Sequence, residues 1–287
     1  MMQDKIIIKA PAKINLFLHV LNKRDDGYHN IKSGITFINL FDEICIKKSN
    51  STIIQYSGTF KPDQDFFKDC IIMKTLKFLN LDNKVNLKVN INKNIPIQSG
   101  LGSASSNAAS LIKGLEKLEI IKMNEDYKIY SKLGADIPVF LYGKNALVEG
   151  IGEKVFKHEF PKYFFLVVKP EIGFSTKKMY DKISRSLQED ETANHSRNIL
   201  NDDSYGNDFK NIAIKENEEI NQILKYLSSS EKCIISQMTG SGSCCFAAYE
   251  KKEYANKAQI NFKKYFPKLW SFVGENNINN TLSSMIL

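Results

Sequence analysis

Residues 96–106 constrain the fold most, because they place a loop of small residues directly before a helix. The loop contains two glycines and four serines, and an apolar 3.6-residue period follows it at Ala108, Leu111 and Leu115. Glycine permits a left-handed backbone, and a helix start carries unpaired N–H groups and partial positive charge. The pattern is typical of a phosphate site. A small-residue helix cap without a ligand has the same composition, so both interpretations stay open at this point.

The loop departs from two well-known nucleotide patterns. No lysine follows Gly102, which excludes the G-x-x-x-x-G-K-[ST] pattern. Ser105 stands where G-x-G-x-x-G requires its third glycine. Neither a P-loop fold nor a Rossmann fold is expected.

Hydrophobic periodicity predicts a mixture of strands and helices. Alternation predicts strands at 5–21 (two strands broken by Pro11), within 33–56, and at 85–91, 145–149, 163–168, 233–236 and 244–249. A helical period predicts helices at 66–80, after 106, at 124–133 (ended by Gly134 and Pro138), 175–187, 209–228 and 251–264. The polar segment 187–208 predicts a loop with a composition typical of disorder. The order lacks a βαβα rhythm, so we expect an α+β fold with domains at 1–157 and 158–287.

Composition excludes several classes of protein. The net charge is +8, yet only three residues are arginine and the lysines are scattered, so we expect no nucleic-acid partner. The longest apolar run, 163–168, is far below the ~20 residues that a bilayer requires. We therefore expect a cytoplasmic protein without a membrane segment. The four histidines lack the spacing of zinc ligands, so no metal held by the protein alone is expected.

Two separate segments carry candidate catalytic groups. Asp136 has small and apolar neighbours, and a carboxylate within ~3 Å of an alcohol accepts its proton; capping of a turn is the alternative. Lys13 and Asn15 project to one face of a predicted strand, which suits a phosphate or a sugar hydroxyl. A solvated edge strand is the alternative for this pair. His29 is a candidate ligand-binding imidazole, although a lone histidine is more often structural.

A Gly/Ser turn at 238–246 leads into an apolar strand. It lacks the G-x-S-x-G sequence and the strand-to-helix context of a nucleophile elbow. We therefore expect Cys244 and Cys245 to lie in the strand and not to act as nucleophiles.

The order and spacing of these segments resemble the GHMP kinase superfamily, which includes galactokinase, homoserine kinase and mevalonate kinase. The N-terminal, central and C-terminal signatures correspond to 11–29, 96–108 and 238–246, so the resemblance spans nearly the whole chain. The segments most similar to the branch with a cytidylyl substrate are Pro11-Ala12-Lys13-Ile14-Asn15-Leu16, Arg24-Asp25-Asp26-Gly27-Tyr28-His29, Ser105-Ser106-Asn107-Ala108-Ala109 and Gly134-Ala135-Asp136-Ile137-Pro138.

The resemblance implies a fold and an activity. The N-terminal domain would be similar to domain 2 of ribosomal protein S5, and the C-terminal domain would be ferredoxin-like. The enzyme would use ATP and Mg²⁺ to phosphorylate the 2-hydroxyl of 4-diphosphocytidyl-2-C-methyl-D-erythritol, in the non-mevalonate route to isoprenoid precursors. It would act on this small molecule as a monomer or weak homodimer.

The resemblance also implies roles for individual residues. Asp136 would be the catalytic base and Lys13 its catalytic lysine. Asn15, Tyr28 and His29 would hold the substrate, and Phe174 is the candidate aromatic that sandwiches the cytosine against Tyr28. The residues of the ATP phosphate loop would be Pro96, Ile97, Gln98, Ser99, Gly100, Leu101, Gly102, Ser103, Ala104, Ser105 and Ser106.

The loop departs from the family at Ser99, Ser103 and Ala104, where the family often has glycine. These residues disfavour strongly positive φ, so either the positions have ordinary φ or the loop differs in shape. Two alternatives remain: another GHMP small-molecule kinase, and a basic RNA-binding protein. A requirement for a cytidylyl substrate would distinguish this chain from other GHMP kinases. Salt-dependent RNA binding without ATP turnover would identify an RNA-binding protein.

Overall fold

The computed structural model describes residues 5–62, 70–189 and 205–276. In this part of the chain the elements follow in the order β1 (Lys5–Lys23), β2 (His29–Lys48), β3 (Ile53–Ser57), α1 (Ile71–Phe78), β4 (Leu87–Asn92), α2 (Ser103–Lys117), a 3-10 helix (Tyr127–Lys132), α3 (Ile137–Tyr142), β5 (Ala146–Gly150), β6 (Lys154–Lys157), β7 (Phe164–Lys169), α4 (Thr176–Glu189), α5 (Lys210–Glu216), α6 (Glu218–Ser228), β8 (Ile235–Met238), β9 (Cys245–Tyr249), α7 (Lys252–Tyr265) and β10 (Trp270–Glu275).

The strands form two sheets, which confirms the α+β class. The first sheet has six strands in the order β3-β4-β2-β5-β6, with β1 paired to β2. The second has four strands in the order β10-β7-β9-β8. Only β3 and β4 are parallel among the described pairs. The chain passes from one sheet to the other between β6 and β7, and the domain limits 1–157 and 158–287 stay a prediction.

The prediction that Pro11 divides residues 5–21 into two strands is wrong, because β1 is one strand of 19 residues. The register with β2 shifts between Pro11 and Ala12, and proline, which lacks an N–H, is tolerated at such an irregularity. Before the shift, Ile8 packs in the cluster that contains α2. After it, Ile14 packs against the second sheet. The two sheets therefore share a core, and Lys13 lies at their junction.

Proline and asparagine account for two further corrections. Pro138 does not end a helix; it lies in the first turn of α3, where its missing N–H costs nothing, and the segment before it is a 3-10 helix. The predicted helix 209–228 is two helices, because the extended backbone of Asn217 separates α5 from α6. The short strands β6 and β10 were not predicted.

Two predictions fall partly outside the described residues. The helix predicted at 66–80 is confirmed at Ile71–Phe78, and residues 66–69 lie outside the description. The loop predicted at 187–208 begins later than expected, since α4 continues to Glu189, and 190–204 are not described. Residues 205–208 lie against β1. Among the described residues, no helix has both the length and the apolarity that a membrane span requires.

Candidate active site

The glycine-serine loop leads into α2 with a backbone arranged to bind an anion. Gly102 precedes the helix with a φ of 73°, and no side chain caps the helix start. In the described part of the chain, no hydrogen bond uses the N–H groups of Ser103, Ala104 or Ser105. These donors add to the helix dipole, which is equivalent to roughly half a positive charge at the helix start.

The replacements of glycine in this loop do not distort it. Its left-handed positions are Gln98, Gly100 and Gly102, so Ser99, Ser103 and Ala104 keep ordinary φ. These three positions therefore have ordinary φ, and the loop does not need a different shape to accommodate them. The positive φ of Gln98, 50°, was not anticipated.

A buried carboxylate fixes both ends of the loop. Asp42 Oδ1 accepts hydrogen bonds from the backbone N–H groups of Asn94, at 2.8 Å, and Ile95, at 2.9 Å. Its Oδ2 accepts from Ser103 Oγ, at 2.8 Å, and from Asn107 Nδ2, at 3.0 Å, both in α2. Asp42 is fully buried, and its charge is matched by Lys93. The loop is thus anchored to β2 before and after its glycines.

Lys13 and Asn15 project to the same face of β1, as predicted. The ammonium group of Lys13 contacts Asn15 Oδ1, and the backbone N–H of Lys13 donates to Leu101 O at 3.0 Å. Lys13 is only 3% exposed, so burial lowers its pKa, and the charge of Asp136 partly offsets this effect. This lysine therefore lies directly beneath the loop.

Asp136 lies in front of Lys13. The distance from Asp136 Oδ2 to Lys13 Nζ is 3.8 Å, and the carboxylate side chain is 35% exposed. Asp136 occupies the cap position of α3 but makes no side-chain cap hydrogen bond, which removes the capping interpretation. A Cβ built on neighbouring Gly134 would lie 3.6 Å from Ser105 Oγ, so this segment packs against the first turn of α2.

The second glycine turn contacts the first one. A Cβ built on Gly100 would lie 2.1 Å from Thr239 O, and one built on Gly240 would lie 2.9 Å from Lys13 Nζ. The Thr239 hydroxyl accepts a hydrogen bond from the backbone N–H of Asn15 at 2.9 Å. The predicted strand assignment of Cys245 is confirmed, and Cys244 directly precedes that strand. The backbone of this turn therefore covers the ammonium group of Lys13.

The predicted substrate residues fall into two groups. Tyr28 is 57% exposed at the β1–β2 hairpin, next to His29, which is buried. Burial lowers the pKa of His29, so this imidazole is neutral at pH 7. Phe174 does not join them: it is 8% exposed and belongs to the core of the second sheet. The ring beside His29 is that of Tyr180, with the centroids 5.3 Å apart.

Sequence reasoning missed Tyr180, Asp42 and Lys93. Burial and the nearby charge of Asp136 raise the pKa of Tyr180, so its hydroxyl stays protonated near that carboxylate. A weak signal was available, because Tyr180 lies on the predicted helix that follows Phe174. Nothing in the sequence distinguished Asp42 and Lys93 from the many other charged residues.

Comparison with known proteins identifies the family. The model of the "GHMP kinases N terminal domain" matches residues 70–144, and that of "GHMP kinases C terminal" matches 190–268. A 4-diphosphocytidyl-2-C-methyl-D-erythritol kinase from Francisella tularensis subsp. novicida is 34% identical, covering 91% of this chain and 95% of the relative. The enzyme of that name from Prochlorococcus marinus is 34% identical and covers 91% of each chain.

Solved structures share the fold. A crystal structure of 4-(cytidine 5'-diphospho)-2C-methyl-D-erythritol kinase matches with a TM-score of 0.72 at 22% identity, covering 94% of this chain and 98% of that one. Homoserine kinase from Cytophaga hutchinsonii matches with a TM-score of 0.58 at 17% identity, covering 96% of each. The chain therefore belongs to the 4-diphosphocytidyl-2-C-methyl-D-erythritol kinase family of the GHMP kinases, which are ATP-dependent phosphotransferases of small molecules.

Proposed function

We propose that this kinase transfers the γ-phosphoryl group of ATP to the 2-hydroxyl of 4-diphosphocytidyl-2-C-methyl-D-erythritol. The observation that carries the proposal is the 3.8 Å approach of Lys13 Nζ to Asp136 Oδ2. This pair lies beside the uncapped start of α2, which suits the phosphates of ATP. The names of the curated relatives support the choice of acceptor.

Asp136 is the general base of the proposed reaction. It accepts the proton of the 2-hydroxyl while that oxygen forms a bond to the γ-phosphorus of ATP. The bond between this phosphorus and the β–γ bridging oxygen breaks, and ADP leaves. The carboxylate is partly exposed and makes no cap hydrogen bond, so it is available to an alcohol that enters from solvent.

Lys13 is the electrostatic partner. Its ammonium stabilises the carboxylate of Asp136 and the negative charge on the group in transfer, and it does so most effectively where water is excluded. Lys13 is 3% exposed beneath the two glycine turns, which supports this role. Because burial lowers its pKa, the loss of the Lys13 proton sets an alkaline limit on activity below the ordinary value of 10.5.

The substrate's cytosine binds at the hairpin tip in this proposal. The exposed ring of Tyr28 stacks on the base, and the neutral imidazole of His29 hydrogen-bonds to the base edge. Tyr180, and not the core residue Phe174, forms the second aromatic wall. Asn15 keeps its proposed substrate role only if a sugar hydroxyl replaces one of its present bonds, because it is 2% exposed and its amide already bonds to Lys13 and Ser33.

Mg²⁺ fits the site as a companion of ATP. Serine hydroxyls of the first turn of α2 are oxygen ligands of the kind that Mg²⁺ prefers, and Ser106 Oγ is buried there without a hydrogen-bond partner. No group of three acidic, histidine or cysteine side chains forms a metal site in residues 5–62, 70–189 and 205–276. The serine hydroxyls of this turn would hold the ion together with the phosphates of ATP. The bound ion would neutralise phosphate charge.

The test measures turnover of Asp136→Asn with saturating ATP and substrate. We expect kcat to fall by about 10²–10⁴-fold, the usual contribution of a general base, while the substrate still binds. Asp126→Asn is the matched control, because Asp126 caps the 3-10 helix of the same domain through its side chain. Its kcat should equal that of the unchanged protein. Equal kcat values for Asp136→Asn and Asp126→Asn would exclude Asp136 as the base.

The acceptor is tested separately with homoserine and mevalonate. ADP release that depends on the cytidylyl substrate, and not on these two alcohols, supports the proposal. Turnover of homoserine or mevalonate alone would reject the acceptor while keeping the kinase chemistry.

A further inference from the structure

The segment 205–209 joins the active site from the C-terminal half of the chain. Leu18 N–H in β1 donates to Gly206 O at 2.9 Å, and Asp208 N–H donates to Leu18 O at 3.0 Å. Between them, the side chain of Asn207 is directed inward and the residue is only 7% exposed. The segment thus pairs in parallel with the strand that carries Lys13.

The carboxamide of Asn207 is fully used. Its nitrogen donates to Met238 O at 2.7 Å and to Gly240 O at 2.9 Å. Its oxygen accepts from the N–H of Phe209 at 2.9 Å. One side chain therefore holds the two carbonyls on either side of Thr239.

The turn held by Asn207 packs closely against Lys13, so it has little room to move there. A Cβ added to Gly240 would lie 2.9 Å from Lys13 Nζ and 3.0 Å from Gly100 O. On the same turn, the Thr239 hydroxyl accepts a hydrogen bond from the backbone N–H of Asn15. A shift of the turn would therefore change the position of the lysine and of the phosphate loop together.

We propose that Asn207 is a positioning residue for phosphoryl transfer, which holds the turn 238–240 so that Lys13 stays aligned with Asp136. This inference rests on the proposed function, because it acts through the pair assigned there. Asn207 touches no reacting atom. Its effect is on the geometry of the step, and displacements of about 1 Å cost up to about 100-fold in rate.

Asn207→Asp isolates this role. Aspartate has the same shape and keeps an oxygen for the N–H of Phe209, but it loses both donors and sets a carboxylate against two carbonyls. Asn217→Ala is the matched control, because Asn217 accepts one backbone N–H at the start of α6 and lies outside the site. Both variants lose a side-chain hydrogen bond in the same half of the chain.

The readout is whether kcat changes without a change in KM, and a melting curve is recorded for each variant alongside the kinetics. For Asn207→Asp we expect kcat to fall by about 10–100-fold while both KM values change by less than about threefold. Asn217→Ala should lower the melting temperature and leave kcat unchanged. Asn207→Ser carries the same expectation if Asn207→Asp is not recovered folded.

Two results overturn the inference. The first is an unchanged kcat in the Asn207 variant. The second is a loss of kcat that follows the fall in melting temperature and occurs to the same extent in Asn217→Ala. The unchanged protein and Lys13→Met in the same assay separate this failure from failure of the proposed function. If the unchanged protein releases no ADP in the presence of the cytidylyl substrate, the proposed function itself is rejected, whereas an active Lys13→Met rejects the role assigned to Lys13. An inactive Lys13→Met beside an Asn207 variant with unchanged kcat rejects only the positioning role.

Discussion

Asp42→Asn should weaken both the fold and the binding of ATP. Asp42 is fully buried and accepts five hydrogen bonds that join the two ends of the phosphate loop, one of them from Lys93. The neutral amide leaves the ammonium of Lys93 buried without its counter-charge. Removing one partner of a buried ion pair usually costs about 3–5 kcal/mol in free energy of unfolding.

The assay is urea denaturation at pH 7.5, with the KM for ATP measured in parallel. We expect Asp42→Asn to lose about 3–5 kcal/mol and its KM for ATP to rise, because the loop loses its anchor. The double variant Asp42→Asn with Lys93→Met should regain stability, since no unpaired charge remains. Burial lowers the pKa of Lys93, and loss of Asp42 lowers it further. The unfolded chain then binds more protons than the folded one, so Asp42→Asn should regain stability as the pH rises toward 10.

The control is the exposed ion pair between Lys257 and Glu231, with its atoms 2.7 Å apart. Solvent screens this pair, so Glu231→Gln should leave the urea midpoint unchanged. If Asp42→Asn loses no more free energy of unfolding than Glu231→Gln, the unpaired charge of Lys93 is not what destabilises the variant. The same conclusion follows if the double variant is less stable than Asp42→Asn alone or than Lys93→Met alone.

Three further predictions concern separate parts of the molecule. Tyr28→Ala should raise the KM for the cytidylyl substrate at least fivefold, since stacking on a base is worth ~1–3 kcal/mol, and leave the KM for ATP unchanged in steady-state kinetics. Gly100→Ala should lower the melting temperature and kcat, because its Cβ would lie 2.1 Å from Thr239 O; Gly27→Ala, with a φ of +84° and open space, measures the left-handed strain alone. Burial lowers the pKa of Lys113 to about 8, so its contribution to the free energy of unfolding grows between pH 8 and 10.5. In urea denaturation across this pH range, the free energy of unfolding should rise less for Lys113→Met than for the unchanged protein.

The sequence predicted the parts of the fold that depend on local periodicity. The helix after the phosphate loop and most strands are where alternation and the 3.6-residue period indicated. Pro11 and Pro138 were misinterpreted because the effect of a proline depends on its position: at a register shift or in a first helical turn, its missing N–H costs nothing. The period alone cannot reveal these positions.

The site was predictable where motifs carry it and not where distant parts of the chain meet. The resemblance to GHMP kinases named Lys13 and Asp136, and the structure brings the two side chains together. The contacts of Asp42 with Lys93 and of Asn207 with the second glycine turn join residues 51 and 33 positions apart. No spacing rule connects such pairs. Tyr180, which we propose as the second aromatic wall, was missed because Phe174 matched the expected residue type earlier in the chain.

The identity of the product tests the proposed phosphoryl transfer most directly. The protein is incubated with ATP, Mg²⁺ and 4-diphosphocytidyl-2-C-methyl-D-erythritol, and the product is analysed by phosphorus NMR. We expect one new phosphomonoester on the 2-hydroxyl for each ADP released, and no such signal with Asp136→Asn. A phosphomonoester at another hydroxyl, or ADP release that does not depend on the alcohol, would contradict it.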